Sequence, residues 1–153
     1  MKISDFDLDK NVFVVAEIGN NHEGDFGVAK ELIRAAVDTG VDAVKFQTFI
    51  PEDFISREHQ ERIKHFQKFQ LSSDQFIELA HLARSLGVIF FSTPLDLISA
   101  KFLNTLQPVF KIASGDNNCL PLIDTVASFG KPMIISTGLA DFNLLDQVYD
   151  RVK

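Results

Sequence analysis

An α/β fold, namely the first five units of a (β/α)8 TIM-type barrel, follows from three features of this 153-residue sequence. Short apolar runs rich in β-branched and aromatic residues alternate with amphipathic stretches, often with a glycine at the join. The runs are nearly continuous in their apolar character, as parallel strands covered by helices are. Polar residues mark the C-terminal end of every run: Glu17, Gln47 with Thr48, Ser92 with Thr93, Ser114, and Ser136 with Thr137. A doubly wound sheet concentrates its site at one switch point, whereas a barrel gathers a ring from all its strand ends. No GxGxxG phosphate cradle favours the former.

Taken in order, the first strand is expected over Val12–Ile18 (VFVVAEI). The following stretch, from about Asp25, carries Val28, Leu32, Ala35 and Ala36 at helical spacing and stops at Gly40. Strand two is Ala43–Thr48, strand three Val88–Ser92, strand four Val109–Ser114 and strand five Pro132–Thr137. Helices are expected over Asp74–Leu86, Asp96–Leu106, Leu120–Phe129 and about Asp141–Lys153, with Ser73 as an N-cap and Gly87 and Gly130 as left-handed C-caps. The connection from Phe49 to Ser72 is too long for an ordinary βα loop and reads as a partly helical excursion or a substrate cover. A complete barrel needs eight units and about 250 residues. The expectation is therefore a truncated barrel.

Composition narrows the function. Fifteen Phe supply material for a real core, while a formal charge of -6 and no basic cluster argue against a nucleic-acid partner. No apolar run is long enough to span a membrane, and the start MKISDFDLDK lacks a signal-peptide apolar region, so a soluble cytoplasmic protein is expected. Cys119 has no partner for a disulfide and is expected as a packed thiol. The four histidines, His22, His59, His65 and His81, show no ligand spacing, and no metal-binding residue is assigned. His22 is expected to organise its own loop through hydrogen bonds.

Lys45 and Lys111 interrupt apolar strands. Burying an ammonium there requires an anion, either a bound carboxylate or phosphate or the side chain of Glu17 on the neighbouring strand. Gln47 shares the strand face of Lys45, two residues on. Together with the hydroxyls of Thr93, Ser114, Ser136 and Thr137, the two lysines make a pocket suited to a small, doubly anionic molecule. Glu17 precedes the loop Gly19-Asn20-Asn21-His22-Glu23-Gly24 and could act as acid, base or ligand.

The strings AEIGNNHEGDFGVAKELIRAAVDTGVDAVKFQT, FFSTPLD, FKIASGDNN with PLI, and GKPMIISTGLA resemble, in order and spacing, the N-acetylneuraminate (sialic acid) synthase family. The resemblance runs from Val12 to Ala140. It implies a carbon–carbon bond-forming transferase that joins phosphoenolpyruvate to an N-acylated amino sugar such as N-acetylmannosamine, with Mn2+ or Mg2+ as cofactor. It assigns Lys45, Thr93, Lys111, Ser114 and Ser136 to substrate binding, and Glu17, Gln47 and Asp116 to catalysis. Asp116 falls where many members carry a longer glutamate that holds a metal-bound water. The family's metal-binding histidines would lie on strands after Lys153, as would a small C-terminal domain that completes the neighbouring subunit's site in its homodimers. Residues 1–153 are thus expected to be the N-terminal portion of such a barrel, inactive on its own for want of those ligands. The competing readings are a non-catalytic half-barrel that self-associates and another phosphoenolpyruvate-using aldol synthase.

Overall fold

The computed structural model describes residues 1–153. Its backbone is a set of parallel strands with helices packed on one face. After a two-strand hairpin, β1 (Lys2–Ile3) and β2 (Phe6–Asp7), come β3 (Val15–Gly19), α1 (Phe26–Asp38) and β4 (Ala43–Thr48). The long connection folds as α2 (Pro51–Phe54) and α3 (Gln60–Gln67), followed by α4 (Ser73–Ser85), β5 (Ile89–Pro94) and α5 (Leu97–Leu103). The chain continues through β6 (Phe110–Ile112), a 3-10 turn (Ser114–Asp116), α6 (Leu120–Ala127), β7 (Met133–Ile135) and α7 (Phe142–Val152). No helix is long and apolar enough to cross a membrane.

The ladders are parallel throughout β3-β4-β5 and β6-β7. Between these two groups β5 and β6 lie side by side without a ladder. There the buried Gln107 side chain takes the place of a strand, accepting from the Ser92 amide at 2.7 Å and donating to the Ser92 carbonyl at 3.2 Å. Both backbone groups of Ser92 are thereby satisfied, as burial demands.

Strand alternation sorts the side chains into two faces. Val44, Phe46 and Phe90 face α1 and α4, burying against Ala29, Ile33, Phe76 and Leu79. Phe110 and Ile112 do the same against α5, α6 and α7. The opposite face is apolar only at its lower end, where Ala43, Phe91 and Val109 pack on Ile3 of the hairpin, with Val15, Ile89 and Ile134 at the margin. Above that layer the same face turns polar. Alternation carries it on to Glu17, Lys45, Gln47, Thr93, Lys111 and Ser136.

Several boundaries differ from those expected. The first strand begins at Val15 because the Val14 amide donates to the Asp42 carboxylate at 2.7 Å rather than to a neighbouring strand's carbonyl. Ser72, not Ser73, caps α4: its hydroxyl accepts from the Gln75 amide while the Gln75 side chain accepts from the Ser72 amide, a complete capping box. Asp25, Asp96 and Asp141 are N-caps of α1, α5 and α7 rather than helical residues. Cys119 is exposed, contrary to the packed thiol expected, because it stands at the turn entering α6. The excursion is helical, and Phe49, Phe54 and Phe66 form an aromatic cluster with ring centroids 5.3–5.6 Å apart.

Candidate active site

The site begins with Lys45, which is buried in the middle of β4. Its ammonium is paired with Glu17 Oε2 on β3, its register partner, and donates to Thr93 Oγ1 on β5 at 3.2 Å. Of the two anions considered for Lys45, the Glu17 carboxylate is therefore present in the fold itself. Glu17 is more than half exposed, so its charge is partly screened and it remains open to solvent and ligand.

Lys111 reaches the same region from β6. Its Nζ donates to the Ile112 carbonyl at 2.6 Å. Burial first, and then the positive charge of Lys45, push its pKa down, while Glu17 and Asp116 pull it back up. These charges therefore act on one another across one end of the sheet. Asp116, on the 3-10 turn after β6, has its carboxyl pKa raised by burial, with Lys111 opposing the rise. Lys45 and Lys111 are thus two ammonium groups that repel each other, with the carboxylates of Glu17 and Asp116 acting against that repulsion.

The polar rim is held by amide side chains, of which Asn117 is buried and Asn20 and Gln47 are half-buried. Gln47 stands in register with Thr93, and its Oε1 accepts from Asn20 Nδ2 at 2.9 Å. Ser136 continues β7, and its carbonyl accepts from buried Asn117 Nδ2 at 2.8 Å, which ties the end of β7 to the turn after β6. Ser114 lies on that turn, with its Cβ 3.9 Å from the position a β-carbon would take on Gly138. Every residue expected at the site thus sits on the polar upper part of this face or just beyond the C-terminal strand ends. Direct contacts join Glu17, Lys45 and Thr93.

His22 does organise its loop: buried in full, its Nδ1 accepts from the Gly24 amide at 3.1 Å. Burial lowers its pKa. Asn20 and Asn117 are site-supporting residues that the strand pattern did not reveal, since both lie on turns outside the periodic segments. The asparagines beside Glu17 and Asp116 were the available signal. As for the expected Mn2+ or Mg2+, no three His, Cys, Asp or Glu side chains are grouped so as to hold a metal ion. The residues of this chain do not by themselves fit that cofactor.

Fold and site together define an α/β protein with a cluster of two lysines, two carboxylates and several hydroxyls at the ends of parallel strands. The chain belongs to the NeuB family, which its residues 32–153 match. An uncharacterized protein of Methanocaldococcus jannaschii is 44% identical over 142 residues, covering 92% of this chain and 41% of the relative. The N-acetylneuraminate-9-phosphate synthase of Mus musculus is 37% identical over 154 residues, covering 92% of this chain and 43% of the relative. The crystal structure of N-acetylneuraminic acid (sialic acid) synthetase from Leptospira borgpetersenii serovar Hardjo-bovis, in complex with citrate, matches with a TM-score of 0.88 and 27% identity, over 92% of this chain and 50% of that one. A Thermotoga maritima 3-deoxy-D-arabino-heptulosonate 7-phosphate synthase, at a TM-score of 0.67 and 11% identity over 92% of this chain and 46% of that one, shares the fold alone. Synthases of N,N'-diacetyllegionaminic acid and pseudaminic acid from Campylobacter jejuni are further relatives, at 35% and 31% identity over 90% and 92% of this chain and 46% and 45% of their own length. The chain spans less than half the length of these curated relatives.

Proposed function

We propose that this chain is the N-terminal part of a (β/α)8 synthase that condenses phosphoenolpyruvate with an N-acylated amino sugar, N-acetylmannosamine or a relative, to give a nonulosonic acid and phosphate. The observation that carries the reading is that Lys45 on β4 and Lys111 on β6 stand on the same sheet face, with Thr93 of the intervening β5 bonded to Lys45. Phosphoenolpyruvate has two anionic groups, and two fixed ammonium groups beside Thr93, Ser114 and Ser136 would hold both and orient its enol carbon. The names of the relatives supply the product class.

In the proposed reaction the enol carbon forms a bond to the sugar's aldehyde carbon, whose oxygen takes up a proton to become a hydroxyl; water adds at C2 and gives up a proton; and the C2 carbon–oxygen bond to phosphate breaks, leaving C2 as a ketone and releasing phosphate. Lys45 and Lys111 bind the carboxylate and phosphate of the donor. Glu17 and Gln47 face the sugar. Asp116, whose carboxyl holds a proton more readily than usual, moves a proton on the water. No step is assigned to a metal, because the residues present do not group to hold one.

The test is calorimetric titration of the chain with phosphoenolpyruvate. Measurable binding that is lost in both Lys45→Met and Lys111→Ala supports the reading. Absence of binding, or equal binding by the parent and Lys111→Ala, overturns it.

A further inference from the structure

The lysines and hydroxyls gather towards the C-terminal strand ends. At the opposite end of β5, where Ile89 stands in register with Ala43 at the start of β4, a cleft of about 340 Å³ opens between the last turn of α4 and the segment joining α5 to β6. Its floor is apolar, formed by the buried Ala80, Val88 and Phe90 and the half-buried Leu106. This size, and an apolar wall with few polar groups, are the marks of a small-molecule site.

Two polar side chains decide what the cleft can take. Arg84, in the last turn of α4, lines it and is exposed, and none of the chain's ion pairs involves this residue, although the sequence holds 21 acidic residues and a formal charge of -6. No carboxylate lines the cleft. An unpaired guanidinium, with its planar fork of donors, beside a space free of carboxylates selects a carboxylate brought by a ligand. Gln107 is the buried polar lining residue: its Oε1 accepts from the Ser92 amide and its Nε2 donates to the Ser92 carbonyl. An amide NH2 has two hydrogens, so one donor remains for a ligand.

We propose that this cleft is a second ligand site, which takes a small monocarboxylate with an apolar body: Arg84 holds the carboxylate, and Ala80, Val88, Phe90 and Leu106 cover the body. One cation, against two lysines at the other end of the strands, suits a singly charged molecule. The site does not depend on the synthase reading, since none of these residues belongs to the lysine cluster. It is joined to that cluster by one side chain. Gln107 forms the inner wall and holds the backbone of Ser92, and the next residue, Thr93, is the one bonded to Lys45. A ligand that engages Gln107 therefore acts on the strand segment that presents Thr93 to Lys45.

The experiment is methyl and amide NMR of the 153-residue chain titrated with hydrocinnamate, with hydrocinnamamide (the same body, uncharged) and acetate (the same charge, no body) as comparisons. Hydrocinnamate should move the Ala80, Val88 and Leu106 methyl signals saturably, together with the Ser92 amide, and should bind at least about tenfold more tightly than either comparison. Arg84→Gln, a change at an exposed position, should raise the hydrocinnamate Kd about tenfold, and Arg84→Lys should raise it less. Shifts that never saturate, equal affinity for the uncharged amide, or a Kd unmoved by Arg84→Gln would overturn the site. Responses at Ser136 without any at Ala80 or Val88 would place the probe among the lysines and overturn it as well. Saturable binding that leaves the Ser92 amide unmoved would overturn Gln107 as the inner wall.

Discussion

Gly24 lies against Lys68 so closely that a β-carbon on it would stand 1.9 Å from the Lys68 carbonyl oxygen. This contact joins the loop after β3, which carries Asn20 and His22, to the segment following α3. The long excursion is thus pressed onto the site's first loop by backbone, where only glycine fits. Gly24→Ala should lower the urea midpoint by more than the left-handed backbone alone explains. Gly40→Ala is the control, since Gly40 has a similar φ of 79° and a methyl group placed on it would meet nothing within 4 Å. The control should lose about 1–2 kcal/mol, and equal losses in the two variants would contradict the contact.

Gln107 should matter more to stability than a side chain near a turn usually does. Its amide both accepts from and donates to the Ser92 backbone, where β5 lacks a ladder partner on that side. Gln107→Ala leaves two buried backbone groups unpaired, at a cost of about 1–3 kcal/mol each. Denaturant unfolding of the variant should show a loss of at least about 1 kcal/mol. A loss indistinguishable from zero would mean that water or another group replaces the amide.

His22 makes stability depend on pH in a defined direction. Burial lowers its pKa below the ordinary 6.5, so in the folded chain it stays neutral while the unfolded chain takes up a proton near 6.5. Below that value the unfolded state binds more protons, and stability falls with falling pH until the folded imidazole itself titrates. Protonated Nδ1 would also face the Gly24 amide as donor against donor. The urea midpoint of the parent should therefore drop between about pH 7.5 and about pH 5.5, a window spanning the unfolded titration, by more than that of His22→Gln. Parallel pH profiles would remove His22 as the cause.

The strand and helix order was legible because each element carries its own periodicity: Val44, Phe46 and Phe90 point to the helices, while Lys45 and Gln47 point away. Lys45 and Lys111 stood out because an ammonium inside an apolar strand contradicts its neighbours. The hairpin β1–β2 was not legible, since two-residue strands have no period, and only the folded chain shows Ile3 buried on Phe91 and Val109. Asn20, Asn117 and Gln107 were missed for a related reason. Each acts by bonding to a group distant in sequence, Gln47, the Ser136 carbonyl and the Ser92 backbone, and such pairing leaves no local pattern.

The Glu17–Lys45 pair separates the two roles considered for Lys45. If the lysine served only to balance Glu17, removing the carboxylate would leave an uncompensated buried ammonium and no functional gain. If the lysine serves an anionic ligand, Glu17 competes with that ligand for the same charge, and its removal should strengthen anion binding. Glu17→Gln keeps the shape and removes the negative charge that also acts on Lys111. Because Glu17 is more than half exposed, screening limits the gain to roughly 1 kcal/mol, or about a fivefold lower Kd for phosphoenolpyruvate or phosphate. The gain should shrink as salt is added. Calorimetry on the parent, Glu17→Gln and Glu17→Gln with Lys111→Ala would decide it: tighter binding in the single variant, lost in the double, assigns both lysines to the anion. Unchanged or weaker binding in Glu17→Gln would leave Lys45 as the structural partner of Glu17.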